Sequence, residues 1–281
     1  MDGRMEKFPW LNLILLIITF FTTSIAGALQ LGVDIHKTGI FEVIEKGLPF
    51  SVAIMFVLGI HEMGHYVTAR RYGVRVTLPY FIPAPTLLGT FGAFIKMKSP
   101  VYSRRQLASV AFNGPLWGFL ASIFVTAIGL NFSKTEVITS TRGMIELGDP
   151  LIMKLFYLFY FGNIDGKTIV LHPVAFAGWI GFFVTSLNLL PASQLDGGHI
   201  FYAVFDTLHR YVSLLVVFVL LILGIWGWGG WIIWALLIYI IGVKHPPSPF
   251  FEEEPDSRTK VIFLLALVIF ILTFIPVPFK M

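Results

Sequence analysis

No cysteine occurs among the 281 residues. Disulfides, thiolate nucleophiles and sulfur-ligated zinc or iron–sulfur centres are therefore excluded. Charge is also scarce. Only 13% of the residues are Asp, Glu, Lys or Arg, against about 25% in an ordinary soluble domain. Internal repeats are lacking, and a net charge of +4 gives no reason to expect a nucleic-acid partner. What remains is 56% hydrophobic, with a mean hydropathy of +0.82. These values predict a chain that lives in a lipid bilayer.

A helix needs about 20 apolar residues to span the hydrocarbon core. Candidate spans are Trp10–Leu31, Leu48–Ala69, Gln106–Leu130, His172–Gln194, Tyr211–Trp226, Trp231–Val243 and Lys260–Val277. The fifth and sixth are short, so the expected number is seven, or six if they merge. The first run is long for a signal h-region and has no clear small-x-small cleavage site, so a retained helix is expected. Arg70, Arg71, Arg75, Lys96, Lys98, Arg104 and Arg105 place the segment after the second span in the cytoplasm. Alternation then puts 13 of the 20 Lys and Arg on the cytoplasmic side, with the N-terminus inside and the C-terminus outside.

Two segments fit neither a span nor a polar loop. Thr77–Pro100 is apolar, yet Pro79, Pro83 and Pro85 with Gly89 and Gly92 forbid a long helix. Its last part alternates as a strand does, which predicts a re-entrant, hairpin-like segment. Lys134–Leu171 carries weak apolar patches and is expected at the outer interface. His245–Asp256 (HPPSPFFEEEPD) reads as a solvated connector. The fold class predicted is an all-α polytopic membrane protein of about six to seven transmembrane helices with that hairpin near 77–100. It forms a single domain over 1–281, with a core at about 48–199 and extra spans at 10–31 and 211–277.

The chemistry-bearing stretch is VLGIHEMGHYVTARR, Val57–Arg71. On a helix, His61 and His65 project from one face. Their imidazoles can then reach one Zn²⁺ at about 2.0–2.1 Å. Glu62 lies beside them, placed to take a proton from water rather than to ligate. Three ionisable groups in an apolar span are costly, which favours function over coincidence. A catalytic zinc needs a third protein ligand and an open position. His36, His172, His209 and His245 lie in loops or at span ends, whereas Asp196 follows a segment that Pro191 must break. Gly197 and Gly198 would let the chain turn back and hold Asp196 at the cavity. On its own residues Asp196 reads equally well as a helix cap.

The pair of motifs settles more than either alone. HEMGH in an apolar span, followed far downstream by Asn188-Leu-Leu-Pro191-Ala-Ser-Gln-Leu-Asp196-Gly197, resembles the site-2 protease family of intramembrane zinc metalloproteases. Both of that family's signatures, HExxH and N-x-x-P-x-x-x-x-D-G, are complete, and the resemblance covers about Leu48 to His199. It implies His61, His65 and Asp196 as ligands of one zinc ion and Glu62 as general base. It also implies that Asn188 holds substrate or stabilises the oxyanion, with an interhelical hydrogen bond as the alternative. The expected substrates are transmembrane proteins or peptides. The expected place is the cell membrane of a prokaryote, with the active site toward the cytoplasmic side. Lys134–Leu171 is too short for the PDZ domain that many bacterial relatives carry, and the tail has no room for a CBS pair. A divalent-metal transporter using the same three residues, or a silent homologue that binds membrane helices, are the competing readings. Neither ligands spread along a path nor inverted repeats favour the transporter.

Overall fold

Proline, glycine and capping side chains set most helix ends. α1 (Trp10–Gln30) follows Pro9 and carries no charge over 21 residues. α2 (Ile40–Arg71) follows Gly39 and runs for 32 residues, straight past Pro49. The computed structural model describes residues 8–136, 146–162, 167–246 and 254–280. Span two thus begins eight residues before the expected Leu48. The extension is held by α1, because a Cβ on Gly47 would lie 1.7 Å from Ser24 O. The contact is sealed by Thr23 Oγ1 and Ser51 Oγ, 2.6 Å apart and fully buried.

After α2 the chain forms a hairpin of β1 (Tyr80–Pro83) and β2 (Thr90–Phe94), antiparallel with Tyr80 opposite Phe94. A bridge from Val76 to Met97 and a bond from Thr77 N to Lys96 O extend the pairing. The alternation read over Phe94–Lys98 therefore marks the base of a real hairpin.

α3 (Arg104–Leu130) opens on Ser103, whose hydroxyl accepts from Gln106 N, while Gln106 Oε1 accepts from Tyr102 N. That reciprocal arrangement is close to a capping box. Beyond α3 come β3 (Lys134–Glu136), β4 (Glu146–Leu147), α4 (Leu151–Phe161) and β5 (Thr168–Val170). Residues 137–145 and 163–166 of the expected outer segment lie outside those described.

α5 (Pro173–Asn188) has proline at its first turn and stops at Asn188, six residues short of the expected Gln194. Pro191 cannot donate to a continuing helix, and Ser193 takes a left-handed φ of 54° in the loop that follows. α6 (Asp196–Val204) then begins at Asp196 itself. α7 (His209–Trp226), α8 (Gly230–Ile241), α9 (Ser257–Thr273) and β6 (Phe279–Lys280) complete the chain. The last helix ends before Pro276, short of the expected Val277. Residues 247–253 of the acidic connector lie outside those described.

The fold is mostly helical, and strands are minor. Three two-stranded sheets among the described residues pair β1 with β2, β3 with β5 and β4 with β6. Among the described residues, α1, α2, α3 and α7 are long and apolar enough to cross a membrane by length and composition, while α4, α5 and α8 are shorter apolar helices. Large apolar side chains such as Phe41, Phe124 and Ile225 face outward, as the lipid-facing surfaces of a membrane-embedded bundle require. The core lies where α2, α3 and α5 meet, around Phe50, Ile54, Val57, Trp179 and Phe182. Small residues let α3 and α5 close on each other: a Cβ on Gly181 would lie 2.1 Å from Ser122 Oγ, and one on Gly178 2.1 Å from Thr126 Oγ1.

Candidate metal centre

α2 carries His61 and His65 four residues apart, so one helical turn brings both rings to the same face. The two Nε2 atoms face each other at 3.2 Å. Both rings are more than nine-tenths buried, as is the Glu62 side chain between them. The helix opposite makes this possible. On α3, Gly114 lies against the His65 ring, where a Cβ would come within 2.0 Å of Nε2. One turn on, Gly118 lies under His61, with its own Cβ position 2.7 Å from Nδ1. The α3 backbone also orients the second imidazole, because His65 Nδ1 donates to Val110 O at 2.8 Å. A carbonyl only accepts, so the proton sits on Nδ1 and the Nε2 lone pair is directed at the cavity.

Asp196 arrives from the other side. Its Oδ2 lies 3.3 Å from His65 Nε2 and 3.6 Å from His61 Nε2. The expected route was a glycine turn, and the structure corrects it. Gly197 and Gly198 lie within the first turn of α6, and their role is close approach: a Cβ on Gly197 would meet Leu189 O at 2.1 Å, and one on Gly198 Ala192 O at 2.5 Å. The loop is tucked under the start of α6 and thereby presses Asp196 toward α2. The early stop of α5 also shortens the path to Asp196, since 16 helical residues span about 24 Å.

His61, His65 and Asp196 each offer one ligand atom, all within 4.8 Å of one another, a group able to hold a metal ion. Two imidazole nitrogens and one carboxylate oxygen are a donor set that suits zinc. The fixed tautomer of His65 is a second feature that fits a metal. Asn188, at the last turn of α5, brings Nδ2 to 3.2 Å from His61 Nε2. All five residues predicted from the sequence therefore meet in one place.

They share a cavity of about 300 Å³ that is also lined by Ala93, Phe94, Ile95 and His199. The hairpin is thus one wall of the site, and the backbone amide of Ile95 lies against the Glu62 carboxylate. Gly118, which follows Gly114 by one turn, the Val110 carbonyl and His199 were not singled out from sequence. The two glycines did leave a sign there, a spacing of four within a span. Asn113 bonds back to Ser109 O in its own helix, and its carbonyl packs on Gly64 of α2.

Comparison with known proteins follows this geometry. Among curated proteins, the chain is 28% identical over 244 residues to the probable zinc metalloprotease EGY2, chloroplastic, of Arabidopsis thaliana, over 85% of this chain and 43% of that protein. It is 28% identical over 247 residues to the probable zinc metalloprotease EGY1, chloroplastic, of the same plant, over 85% and 44%. The Oryza sativa subsp. indica EGY2 is 26% identical over 275 residues, covering 94% of this chain and 49% of that protein. The chain spans under half the length of these relatives. Residues 49–224 match the family model described as Peptidase family M50. That match runs from the first third of α2 nearly to the end of α7, holds every residue of the candidate centre and covers more than half of the chain: the protein belongs to peptidase family M50, the site-2 proteases.

Proposed function

We propose that the chain is an intramembrane zinc metalloendopeptidase that cuts peptide bonds in or near transmembrane segments of membrane proteins. The observation that carries this is the convergence of His61, His65 and Asp196 beside Glu62, buried at a helix long enough to span a bilayer. A transporter would have no use for an ungating carboxylate beside a closed three-donor group, and a silent homologue no use for all four residues. The whole chain is proposed to form one membrane domain with six to seven spans, α5 and α8 being short or tilted ones. Its location is proposed to be a prokaryotic cell membrane, with the cavity toward the side that carries Arg104 and Arg105. Cell fractionation with a tagged chain tests the location.

Zinc held by His61, His65 and Asp196 would supply a Lewis acid and lower the pKa of water to about 7. The chain's own residues do the rest. Glu62 takes the proton of the attacking water and returns it to the leaving amine, which needs one base inside a cavity shielded from bulk solvent. Val110 keeps His65 in the ligating tautomer. Asn188 Nδ2 can donate to the scissile carbonyl oxygen as it gains charge. Asn188→Leu is therefore expected to lower kcat about 100-fold with zinc content unchanged, measured by steady-state kinetics beside metal analysis. Loss of zinc in that variant would assign Asn188 to the ligand sphere instead.

A helical substrate hides its carbonyls in i→i−4 bonds and must be unwound before attack. Among the described residues β2 has one strand partner, β1, and its cavity side offers backbone groups to an extended peptide. A photo-crosslinking residue in place of Phe94 should capture a single-span substrate. Capture only at Phe124, on the outward side of α3, would contradict pairing at the hairpin.

A further inference from the structure

The hairpin that walls the cavity has backbone carbonyls at both ends, and α1 supplies donors to them. Asn12 Nδ2 donates to Leu78 O and to Pro79 O, each at 2.9 Å, just ahead of β1. At the turn between the strands, Thr22 Oγ1 donates to Gly89 O at 2.6 Å, closer than its contacts to Ile18 O and Thr19 O in its own helix. Gln30 Nε2 donates to Leu87 O at 3.0 Å. Gly89 has a φ of +74°, and its backbone lies so near α1 that a Cβ would come within 2.4 Å of Thr22 O. Asn12, Thr22 and Gln30 are thus three polar residues of an apolar span, all directed at one hairpin. On its far side the same hairpin reaches the site, where Ala93 and Phe94 line the cavity and the Ile95 amide lies against Glu62.

We propose that Asn12, Thr22 and Gln30 are positioning residues that fix β2 at the cavity, so that α1 sets the register in which an extended peptide meets the metal centre. The proposal rests on the protease reading for its consequence, though not for its geometry. Helix α1 contributes nothing to the donor group, and its packing on α2 through Gly27, Gly47 and the Thr23–Ser51 contact does not need these three side chains. Their removal should therefore loosen the hairpin while leaving the bundle intact.

Absence of native cysteine allows clean labelling. Spin labels at Phe91→Cys on β2 and Phe124→Cys on α3, both exposed positions, report the hairpin against the bundle in full-length protein reconstituted in liposomes. Combining Asn12→Leu, Thr22→Val and Gln30→Leu should broaden the distance distribution. Thr22→Val alone, the milder variant, should broaden it less, and Thr22→Ser should restore it. On a single-span substrate the triple variant should raise KM roughly three- to tenfold, the scale of one or two lost hydrogen bonds, with kcat within about twofold. Its products, mapped by mass spectrometry, should spread over neighbouring peptide bonds. An unchanged distance distribution overturns the proposal, whatever the kinetics do. A broadened distribution with an unchanged KM and a single cleavage bond overturns the register claim. If the distribution broadens and even the unsubstituted protein cuts nothing, the positioning role stands and the protease reading falls.

Discussion

Glu62→Gln is expected to abolish peptide hydrolysis while zinc stays bound. The substitution keeps the size of the side chain and removes its basicity, so the burial of the site and the packing of α2 on α3 are preserved. Glu62 is more than nine-tenths buried between two histidines. An ionisable group is kept at such depth only at considerable cost. General acid–base catalysis by one positioned group contributes about 10²–10⁴-fold, and a fall of at least that size in cleavage rate is expected. Metal analysis of the same preparation should give one zinc per chain, as for the parent protein. Cleavage retained with zinc bound would remove Glu62 from the mechanism. Loss of zinc would make it a ligand.

Gly114→Ala should cost the protein its zinc although no ligand is touched. In a helix interior, alanine is favoured over glycine by about 0.8–1 kcal/mol, so propensity alone predicts a more stable α3. Sterics oppose this and win. The added Cβ would stand 2.0 Å from His65 Nε2 and 2.3 Å from Cε1, in the middle of a ring held from behind by Val110. The ring cannot withdraw without breaking that bond and turning its lone pair away from Asp196. Disturbing a ligand's support typically costs about 10–100-fold in metal affinity, and the upper end is expected here because the ring itself is displaced. Gly59→Ala is the matched control: it lies on α2 two residues before His61, and its Cβ would meet only Phe81 Cζ at 3.6 Å, an ordinary contact. Equal zinc affinity in both variants would show that α3 is not the seat of His65.

This seat shows where the sequence could be read and where it could not. His61 and His65 were legible because a spacing of four has one meaning on a helix. Pro191 announced a break after α5, and the prolines of 79–85 announced a hairpin where hydropathy alone would allow a span. What the residues could not show was contact between distant elements. Gly114 and Gly118 stand four apart in the sequence, and only the fold shows the histidine rings that lie on them. Gly197 and Gly198 suggested a turn, since flexibility is the commoner reason for paired glycines, and proved to be a close approach at the start of α6. Strands of two or three residues, such as β4 and β6, are too short to carry a period, and their pairing joins residues more than 130 positions apart. Among the described residues four helices meet the length of a span, whereas seven apolar runs were counted, because α5, α8 and α9 end at Asn188, Ile241 and Thr273 before reaching full length.

The central claim is that three converging side chains and one carboxylate make a hydrolytic site within a membrane protein. Its most direct test is cleavage of a purified single-span substrate by the purified chain in liposomes, measured before chelation, after removal of zinc and after zinc is restored. Cleavage that stops with chelation and returns with zinc, absent throughout in Glu62→Gln, is the result predicted. Cleavage that continues in the metal-free protein would contradict it.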